Sequence, residues 1–269
     1  MTKIALLPGR SVLEIAGDDR IEFLQGLVSN DVTQARPGQP VWAAFLTPQG
    51  KWLADFFIRA QPDRLLLECE RGQIPMLVQR LGRFRLRSKV RIEPRENLSV
   101  YAAWNGTVAL AGAEPDPRLP EAGYRIVSDR PLPTNAPEAD WDLHRLALGL
   151  PDGSRDMESE KTVLLEAGFD ELGGISWTKG CYMGQELTAR TKYRGLVKRR
   201  LVPVRISGAV PAPGAPVLRD GAEVGVMRSG RDSLGLALLR IEAVSRALTC
   251  GDARVEPRMP DWMHLPERA

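Results

Sequence analysis

The chain of 269 residues is predicted to be an α+β protein that ends in a small β-barrel or sandwich, from about residue 200 onward. Two observations predict this class. Strand-like and helix-like segments follow one another in a mixed order, which argues against a doubly wound parallel sheet. The C-terminal region consists of short strand-like segments separated by turns, which is typical of small barrels.

The N-terminal half combines apolar strands with two helices. Strands are predicted at residues 11–16, 40–47, 52–59, 64–70, 98–104, 107–111 and 124–127. The first helix, residues 20–28, follows the possible cap Gly17-Asp18, and the second covers residues 72–82. The tetrapeptide Pro48-Gln49-Gly50-Lys51 has the composition of a hairpin turn between two of the strands.

The C-terminal half begins after two proline-rich stretches, residues 114–120 and 131–137, of which the second is predicted to be a boundary. Residues 138–149 follow as a helix with apolar positions in a helical rhythm. Strands are predicted at residues 201–206, 223–227 and 234–240, with a proline-rich break at residues 211–214.

The positive charge is concentrated in two places, although the net charge is only +3. Between residues 83 and 92, basic and mostly apolar residues alternate, which predicts a strand with one basic face. Between Glu186 and Asp220 the chain has no acidic residue but several Arg and Lys residues. Each cluster is either a solvated surface or a groove for an anionic partner.

The cellular compartment is predicted from the cysteines and the N-terminus. Cys69, Cys181 and Cys250 are far apart and form no CxxC pair, which argues against a disulfide framework or a structural zinc site. We therefore predict no metal site. The N-terminus lacks a signal-peptide core, and no run approaches the roughly 20 apolar residues of a membrane helix. The protein is predicted to be cytoplasmic and not to bind a membrane.

Residues 179–186 carry the strongest chemical signal. Cys181 lies between a cation, Lys179, and two glycines, just before a predicted helix start, and both surroundings favour a thiolate. The alternative is a glycine-flanked turn with a buried, inert cysteine. A cysteine protease is not supported, because only His144 and His264 are available as a base and neither has a recognisable context.

The segment Lys179-Gly180-Cys181-Tyr182-Met183-Gly184-Gln185-Glu186 resembles the K-G-C-[YF]-x-G-Q-E signature of YgfZ-type folate-binding proteins, which are relatives of the glycine-cleavage T-protein. The resemblance continues through residues 188–191 and 193–195. Residues 24–32 and the hairpin at 47–55 are similar to segments of both groups, and residues 86–90 are typical of the YgfZ side.

The resemblance implies a three-domain ring with a folate site near its centre and a C-terminal β-barrel. The expected domains are a discontinuous folate-binding-type domain of residues 1–40 and 138–199, a ferredoxin-like inserted domain of residues 41–137, and a barrel of residues 200–269.

The same resemblance implies the site residues. Asp55 coincides with one carboxylate of the T-protein's Asp-Asp pair, and Ala54 replaces the other. Asp55 and Cys181 are the catalytic candidates. The candidate folate-binding residues are Trp42, Asp55, Lys179, Gly180, Tyr182, Gly184, Gln185, Glu186, Arg190 and Arg194. For Asp55 an ordinary strand position, and for Trp42 a core position, are the alternatives.

The function implied is that of a tetrahydrofolate-binding accessory protein that supports iron–sulfur cluster assembly or repair, with client or assembly proteins as partners. The alternative is a folate-dependent aminomethyl- or methyltransferase, and whether the protein is an enzyme is left open. Ala147 stands where T-proteins have a pterin-anchoring Glu, which puts that activity in doubt. An RNA-binding module ranks last, because only Phe84 and Tyr193 are interleaved with the basic residues.

Overall fold

In the computed structural model, which describes residues 1–244 and 247–265, strands dominate and short helices cover them. The strands are β1 (Lys3–Leu6), β2 (Arg10–Ala16), β3 (Val41–Leu46), β4 (Trp52–Ala60), β5 (Arg64–Glu70), β6 (Arg91–Pro94), β7 (Ser99–Trp104), β8 (Ala113–Pro115), β9 (Tyr124–Ser128), β10 (Arg199–Ser207), β11 (Pro216–Arg219), β12 (Ala222–Arg231), β13 (Leu234–Arg240), β14 (Leu248–Cys250) and β15 (Ala253–Pro257). The α-helices are α1 (Arg20–Gln25), α2 (Ile74–Phe84), α3 (Glu138–Leu148) and α4 (Gln185–Tyr193).

The central sheet is five-stranded, with the antiparallel order β3-β4-β5-β2-β6. One face of this sheet is covered by α1 and α2. The helix α2 buries Ile74, Leu77 and Leu81, a spacing that places all three on one helical face. They join strand residues such as Leu13 and Ile15 in one apolar core.

A four-stranded sheet of order β1-β7-β9-β8 contributes to a second core on the opposite face of the central sheet. Val12 and Leu66 of the central sheet pack there with Ala102 and Trp104 of β7. Trp141 of α3 belongs to the same cluster. Polar residues of the central sheet's second face, among them Asp55, are therefore enclosed between layers.

The C-terminal region forms a closed barrel of order β10-β13-β12-β11-β14-β15. Its interior is apolar and includes Val202, Met227, Leu239 and Val255. The predicted strands 201–206, 223–227 and 234–240 lie within β10, β12 and β13. The prediction of an α+β protein with a C-terminal β-barrel is confirmed.

The basic segment at residues 83–92 is not the predicted strand. The helix α2 continues to Phe84, and the chain then turns at Leu86, whose φ is 40°. A strand begins only at Arg91. The apolar face of α2 packs against the sheet, and this tertiary contact outweighs the local alternation of basic and apolar residues.

Two smaller differences concern the strands and the domains. Residues 107–110 are irregular, and the strand of this region is β8, which overlaps the start of the first proline-rich stretch. Strand β2 pairs with β5 and β6, so strands from both sides of the expected boundary at residue 40 share one sheet. The division into residues 1–40 with 138–199 and residues 41–137 stays a prediction.

Among the helices of the described residues, none has the length and the apolar composition of a membrane-spanning helix.

Candidate functional site

In the loop before α4, Cys181 is exposed to solvent. The other two cysteines are buried, Cys69 in the central sheet and Cys250 in the barrel. Burial raises the pKa of the Cys69 thiol to about 12, which makes that group inert as a nucleophile. Cys181 is therefore the cysteine that can meet another molecule.

Lys179 holds this loop against the end of α1. Its ammonium donates three hydrogen bonds to backbone carbonyls, those of Gln25 at 2.6 Å, Val28 at 2.8 Å and Asn30 at 2.8 Å. Partial burial lowers the pKa of Lys179 to about 8. Because an ammonium has three N–H donors, all of them are used by the carbonyls. The arrangement makes Lys179 an anchor of the loop that carries Cys181.

Gly184 brings the same loop against the hairpin turn between β3 and β4. Its φ is 82°, and an added Cβ would lie 2.7 Å from the carbonyl oxygen of Thr47 and 2.9 Å from the Cα of Gly50. Only glycine fits this left-handed position and this close approach. At Gly180, by contrast, an added Cβ would meet nothing within 4 Å. The packing of the loop thus requires a glycine at position 184 but not at position 180.

The remaining predicted residues of this segment divide into buried and exposed ones. Tyr182 is buried, and burial raises its pKa to about 12. Gln185 accepts a hydrogen bond from the backbone N–H of Tyr182 at 3.2 Å through Oε1. Glu186, Arg190 and Arg194 are exposed on or just after α4. Exposed charges are available to a partner on the same side of the molecule as α4.

Asp55 lies inside the protein, with a side chain that is only half satisfied. The residue is 2% exposed, and its Oδ2 accepts a hydrogen bond from Trp42 Nε1 at 2.9 Å. Its Oδ1 is buried and has no hydrogen-bond partner. Burial raises the pKa of the carboxyl, although the positive charges of Arg10 and Arg118 act in the opposite direction.

Trp42 packs as a core residue. Its ring stacks on Phe169, with centroids 3.9 Å apart and planes 20° apart. The guanidinium of Arg118 lies 5.4 Å from the Trp42 ring centroid. Trp42, Phe169 and Tyr182 belong to one apolar cluster. A pterin stacked on Trp42 would therefore have to displace one of these neighbours.

Asn30 connects the buried pair to the Cys181 loop. Its Nδ2 donates to the backbone carbonyl of Trp42 at 2.8 Å and to that of Gly173 at 2.7 Å. The backbone carbonyl of Asn30 accepts a hydrogen bond from Lys179. The neighbouring Ser29 is buried and links Ala44 to Gly174. Sequence reasoning missed these roles, although both residues lie in the family-like segment 24–32.

A cavity of about 400 Å³ lies beside the charged neighbours of Asp55. Arg10 and Asp152 line it, and the charges of both act on the pKa of Asp55. Trp141, Arg71 and Arg155 are also in its wall. Small-molecule sites usually have volumes of about 300–1,000 Å³, so the cavity has the size for part of a drug-sized ligand. The position of Arg10 near Asp55 was not predicted from the sequence, because no recognisable motif surrounds it.

Within residues 1–244 and 247–265, no group of three or more His, Cys, Asp or Glu side chains is arranged to hold a metal ion.

The predicted site residues form two parts. Asp55 and Trp42 are buried, and the segment Lys179 to Glu186 with Arg190 and Arg194 forms the loop and helix at the surface. Asn30 and the apolar cluster join the two parts.

The fold and the barrel have counterparts among known proteins. The crystal structure of the glycine cleavage system aminomethyltransferase T from Bartonella henselae superposes with a TM-score of 0.77 over 98% of this chain and 87% of that one, at 14% identity. Residues 198–265 match the CAF17 C-terminal beta-barrel domain. The chain thus has the aminomethyltransferase fold. The finer assignment to YgfZ-type proteins through the octapeptide stays a prediction.

Relatives with similar sequences share one name. The mitochondrial iron-sulfur cluster assembly factor IBA57 of Homo sapiens is 33% identical over 298 residues, which cover 95% of this chain and 84% of the relative. Its counterpart in Mus musculus is 31% identical with the same coverage, and the homolog in Mycosarcoma maydis is 33% identical over 91% of this chain. These relatives are named as mitochondrial, so the prediction of a cytoplasmic protein is wrong and the comparison points to the mitochondrion. The chain belongs to the IBA57 family of iron–sulfur cluster assembly factors.

Proposed function

We propose that this protein supports iron–sulfur cluster assembly by presenting Cys181 to a partner protein, and that it binds a tetrahydrofolate-type ligand beside Asp55. The observation that carries the first part is the position of Cys181. The residue is exposed, and its loop is fixed by the three hydrogen bonds of Lys179 and by the close approach of Gly184 to the hairpin.

Cys181 provides one thiolate in this proposal, and the partner provides the other ligands. Iron–sulfur clusters are usually held by four Cys thiolates, or by His in place of some of them. A single exposed thiol on a fixed loop can be one ligand of a cluster whose other ligands belong to the partner protein. The cluster is cargo here and not a resident cofactor.

The folate part of the proposal is supported by Asp55. The Oδ1 atom of Asp55 is buried without a hydrogen-bond partner, which is costly in a folded protein, and a bound ligand would explain it by completing the hydrogen bonding. A reduced folate offers ring N–H groups that such an oxygen can accept from. Asp55 would hold a proton at a ring nitrogen. Arg71 in the wall of the neighbouring cavity, which also contains Glu70, Glu138, Asp142 and Asp152, is the cation that would meet an anionic glutamate tail.

One residue of α3 favours an accessory role over aminomethyl transfer. Ala147, where T-proteins carry a pterin-anchoring Glu, is exposed on α3 and has no group that can bind a pterin. The helix lies next to the cavity through Trp141 and Asp142. We therefore propose that folate binding here orients or stabilises the protein and does not lead to transfer chemistry.

The test of the first part replaces Cys181 with Ser in cells that lack the protein. The variant is expected to fold like the wild type, because the side chain is exposed, and to lose support of iron–sulfur enzymes. Activity of an iron–sulfur enzyme in the complemented cells and a thermal melt of the purified protein are measured together. Cys250→Ser is the control: it changes a buried sulfur, so it is expected to lower stability by roughly 1–3 kcal/mol. A folded Cys181→Ser protein that complements fully would contradict the proposal.

The test of the second part is a titration of the purified protein with tetrahydrofolate, followed by tryptophan fluorescence. Saturable quenching is expected, and Asp55→Asn is expected to weaken binding roughly tenfold or more through loss of a charge-assisted hydrogen bond. Asp63→Asn, at an exposed carboxylate, is the control and is expected to bind like the wild type. Absence of saturation at millimolar ligand, an affinity weaker than about −4 kcal/mol, would exclude this site.

A further inference from the structure

The end of α2 exposes an apolar surface that the proposed function does not use. Leu86 is 88% exposed and Phe84 is 41% exposed. Leu86 has a φ of 40°, in the left-handed region that is unfavourable for a residue with a branched apolar side chain. The chain thus holds a large apolar side chain outward in a conformation that favours glycine.

Leu86 and Phe84 form one wall of a groove whose other wall is α1. The groove has a volume of about 910 Å³, and Phe23, Gly26 and Leu27 line its α1 side. We call this surface the α1–α2 groove. Exposed apolar side chains that converge on a groove mark an interaction surface more often than scattered ones do.

The α2 side of the groove is basic, whereas Asp19 and Glu22 lie on its α1 side. Residues 71–92 contain no acidic residue. Arg87 lines the groove, and the other cations of this stretch are Arg83, Arg85, Lys89 and Arg91, all exposed. None of their side chains makes an ion pair with another described residue, although many other arginines of this chain do. Unpaired cations around an apolar groove are complementary to an acidic surface with a protruding apolar side chain.

The groove is continuous with the Cys181 loop. The backbone N–H of Met183 donates to the carbonyl of Gly26 at 3.1 Å, and Lys179 donates to the carbonyl of Gln25. The side chain of Met183 packs against the core that contains Phe23 and Leu27. A molecule seated in the groove would therefore lie beside the loop that exposes Cys181.

We propose that the α1–α2 groove docks a protein partner that has an acidic surface and places an apolar side chain against Leu86 and Phe84. This inference rests on the proposed function in one respect, because the docked partner would share a cluster with Cys181. The docking surface itself does not depend on folate binding. A polyanion such as RNA fits less well, because RNA-binding surfaces stack bases on several exposed aromatic rings, and of the two aromatic residues in the groove lining Phe84 is exposed and Phe23 is buried.

The main test uses two substitutions at Leu86. Leu86→Gly removes the apolar side chain and suits the positive φ, so this variant is expected to melt at a higher temperature than the wild type. Leu86→Asp places a negative charge against an acidic partner. Both are expected to reduce the activity of iron–sulfur enzymes in complemented cells, roughly tenfold or more, while tetrahydrofolate binding is unchanged. Met259→Asp, at a residue with 42% exposure on the barrel side of the chain, is the matched control and is expected to complement.

The outcomes separate the two proposals. Wild-type complementation by both Leu86 variants would overturn the docking surface, whereas full complementation by Cys181→Ser would overturn the proposed role of the sulfur alone. A photo-crosslinking amino acid at position 86 then identifies the occupant in cells. We expect a protein adduct formed through an acidic segment, and we expect this adduct to be lost in the Arg83→Glu, Arg85→Glu double variant. An RNA adduct, or no more adduct than the same label gives at position 259, would refute the proposal.

Discussion

At the scale of single residues, Asp55 and Lys179 show two opposite ways of burying a charge. Lys179 gives each of its N–H groups a carbonyl partner. Asp55 leaves one carboxylate oxygen without a partner. Lys179 is half-buried, and its hydrogen bonds fix the loop although desolvation still lowers the pKa of its ammonium. The unpaired oxygen of Asp55 costs free energy, because no described residue replaces its lost hydration. This contrast is the physical basis for treating Lys179 as an anchor and Asp55 as a ligand contact.

The cost of Asp55 leads to a prediction for stability. The pKa of Asp55 is raised in the folded protein, so the unfolded chain ionises this carboxyl at a lower pH than the folded one. Above the folded pKa, the ionised Asp55 therefore destabilises the fold. We expect Asp55→Asn to raise the free energy of unfolding at pH 7 by about 1 kcal/mol.

Chemical denaturation at pH 7 and near pH 4 measures this effect. The gain from Asp55→Asn is expected to shrink as the pH falls, because the wild-type carboxyl then becomes protonated and neutral as well. Asp63→Asn serves as the control, since its side chain is 75% exposed. A lower stability of Asp55→Asn at pH 7 would mean that the carboxylate is a structural group and not a ligand contact.

At the scale of elements, the Cys181 loop is defined by contacts with the hairpin and with α1. The hairpin turn contributes Gly50, whose φ is 68°, and an added Cβ there would lie 2.8 Å from the carbonyl oxygen of Gly184. The two glycines therefore face each other across the contact. A turn predicted from local composition thus has a second, tertiary role in fixing the loop.

This contact predicts different results for the two glycines of the octapeptide. Gly184→Ala is expected to destabilise the protein by roughly 1–3 kcal/mol, because the new Cβ meets backbone atoms and the left-handed φ is strained. Gly180→Ala is the matched control and is expected to stay within about 0.5 kcal/mol of the wild type. Thermal melts and the rate of Cys181 alkylation are measured for both. Equal melting temperatures for the two variants would show that the loop is not held by the hairpin.

The sequence predicted some elements well and others poorly, for physical reasons. The helix at residues 138–149 was recognised from its own periodicity, and α3 ends at Gly149 in the left-handed conformation. The basic segment after residue 83 was misassigned, because its alternation is local and the contact that extends α2 is not. In the same way, no local signal reveals that Lys179 bonds to carbonyls about 150 residues earlier in the chain.

The role of the octapeptide and of Asp55 in a site stays a prediction, and their arrangement could not be predicted from the sequence. The structure places Cys181 at the surface, so the alternative of a buried cysteine does not hold. The enclosure of Trp42 between Phe169 and Arg118 depends on segments far apart in the chain. Such packing follows from tertiary structure and leaves no trace in a short motif.

At the scale of the whole molecule, buried charges connect the barrel to the rest of the chain. Arg145 of α3 donates to Asp142, to Asp156 and to Ser229 of the barrel strand β12. Arg231 of β12 donates to Asp142 at 2.8 Å. Asp142 is paired with Arg145, Arg155 and Arg231, and Arg145 with Asp142 and Asp156, so the buried charges compensate one another. This network joins the barrel to the layer of α3.

Carboxyls paired with arginines, in this network and elsewhere in the protein, determine how it responds to acid. The pKa values of Glu68, Asp116 and Asp142 are lowered, because the effect of nearby arginines exceeds that of burial. Burial alone would raise the pKa of Asp152, but the positive charges of Arg145, Arg10 and Arg155 lower it to about 2. A carboxyl whose folded pKa is below the unfolded value stabilises the fold above about pH 4. That stability is lost as the pH falls toward 2.

Asp152→Asn tests this assignment, because it removes the titrating group and leaves a side chain of similar shape. At pH 7 the variant is expected to be less stable than the wild type by about 2 kcal/mol, since Arg10 and Arg155 lose a negative partner. The difference is expected to narrow between pH 4 and pH 2, where the wild-type carboxyl becomes protonated. Urea denaturation across this range gives the measurement, with Asp63→Asn as an exposed control. Parallel curves for Asp152→Asn and the wild type would show that Asp152 is not the group that links stability to pH, and the acid response would then belong to Glu68, Asp116 and Asp142.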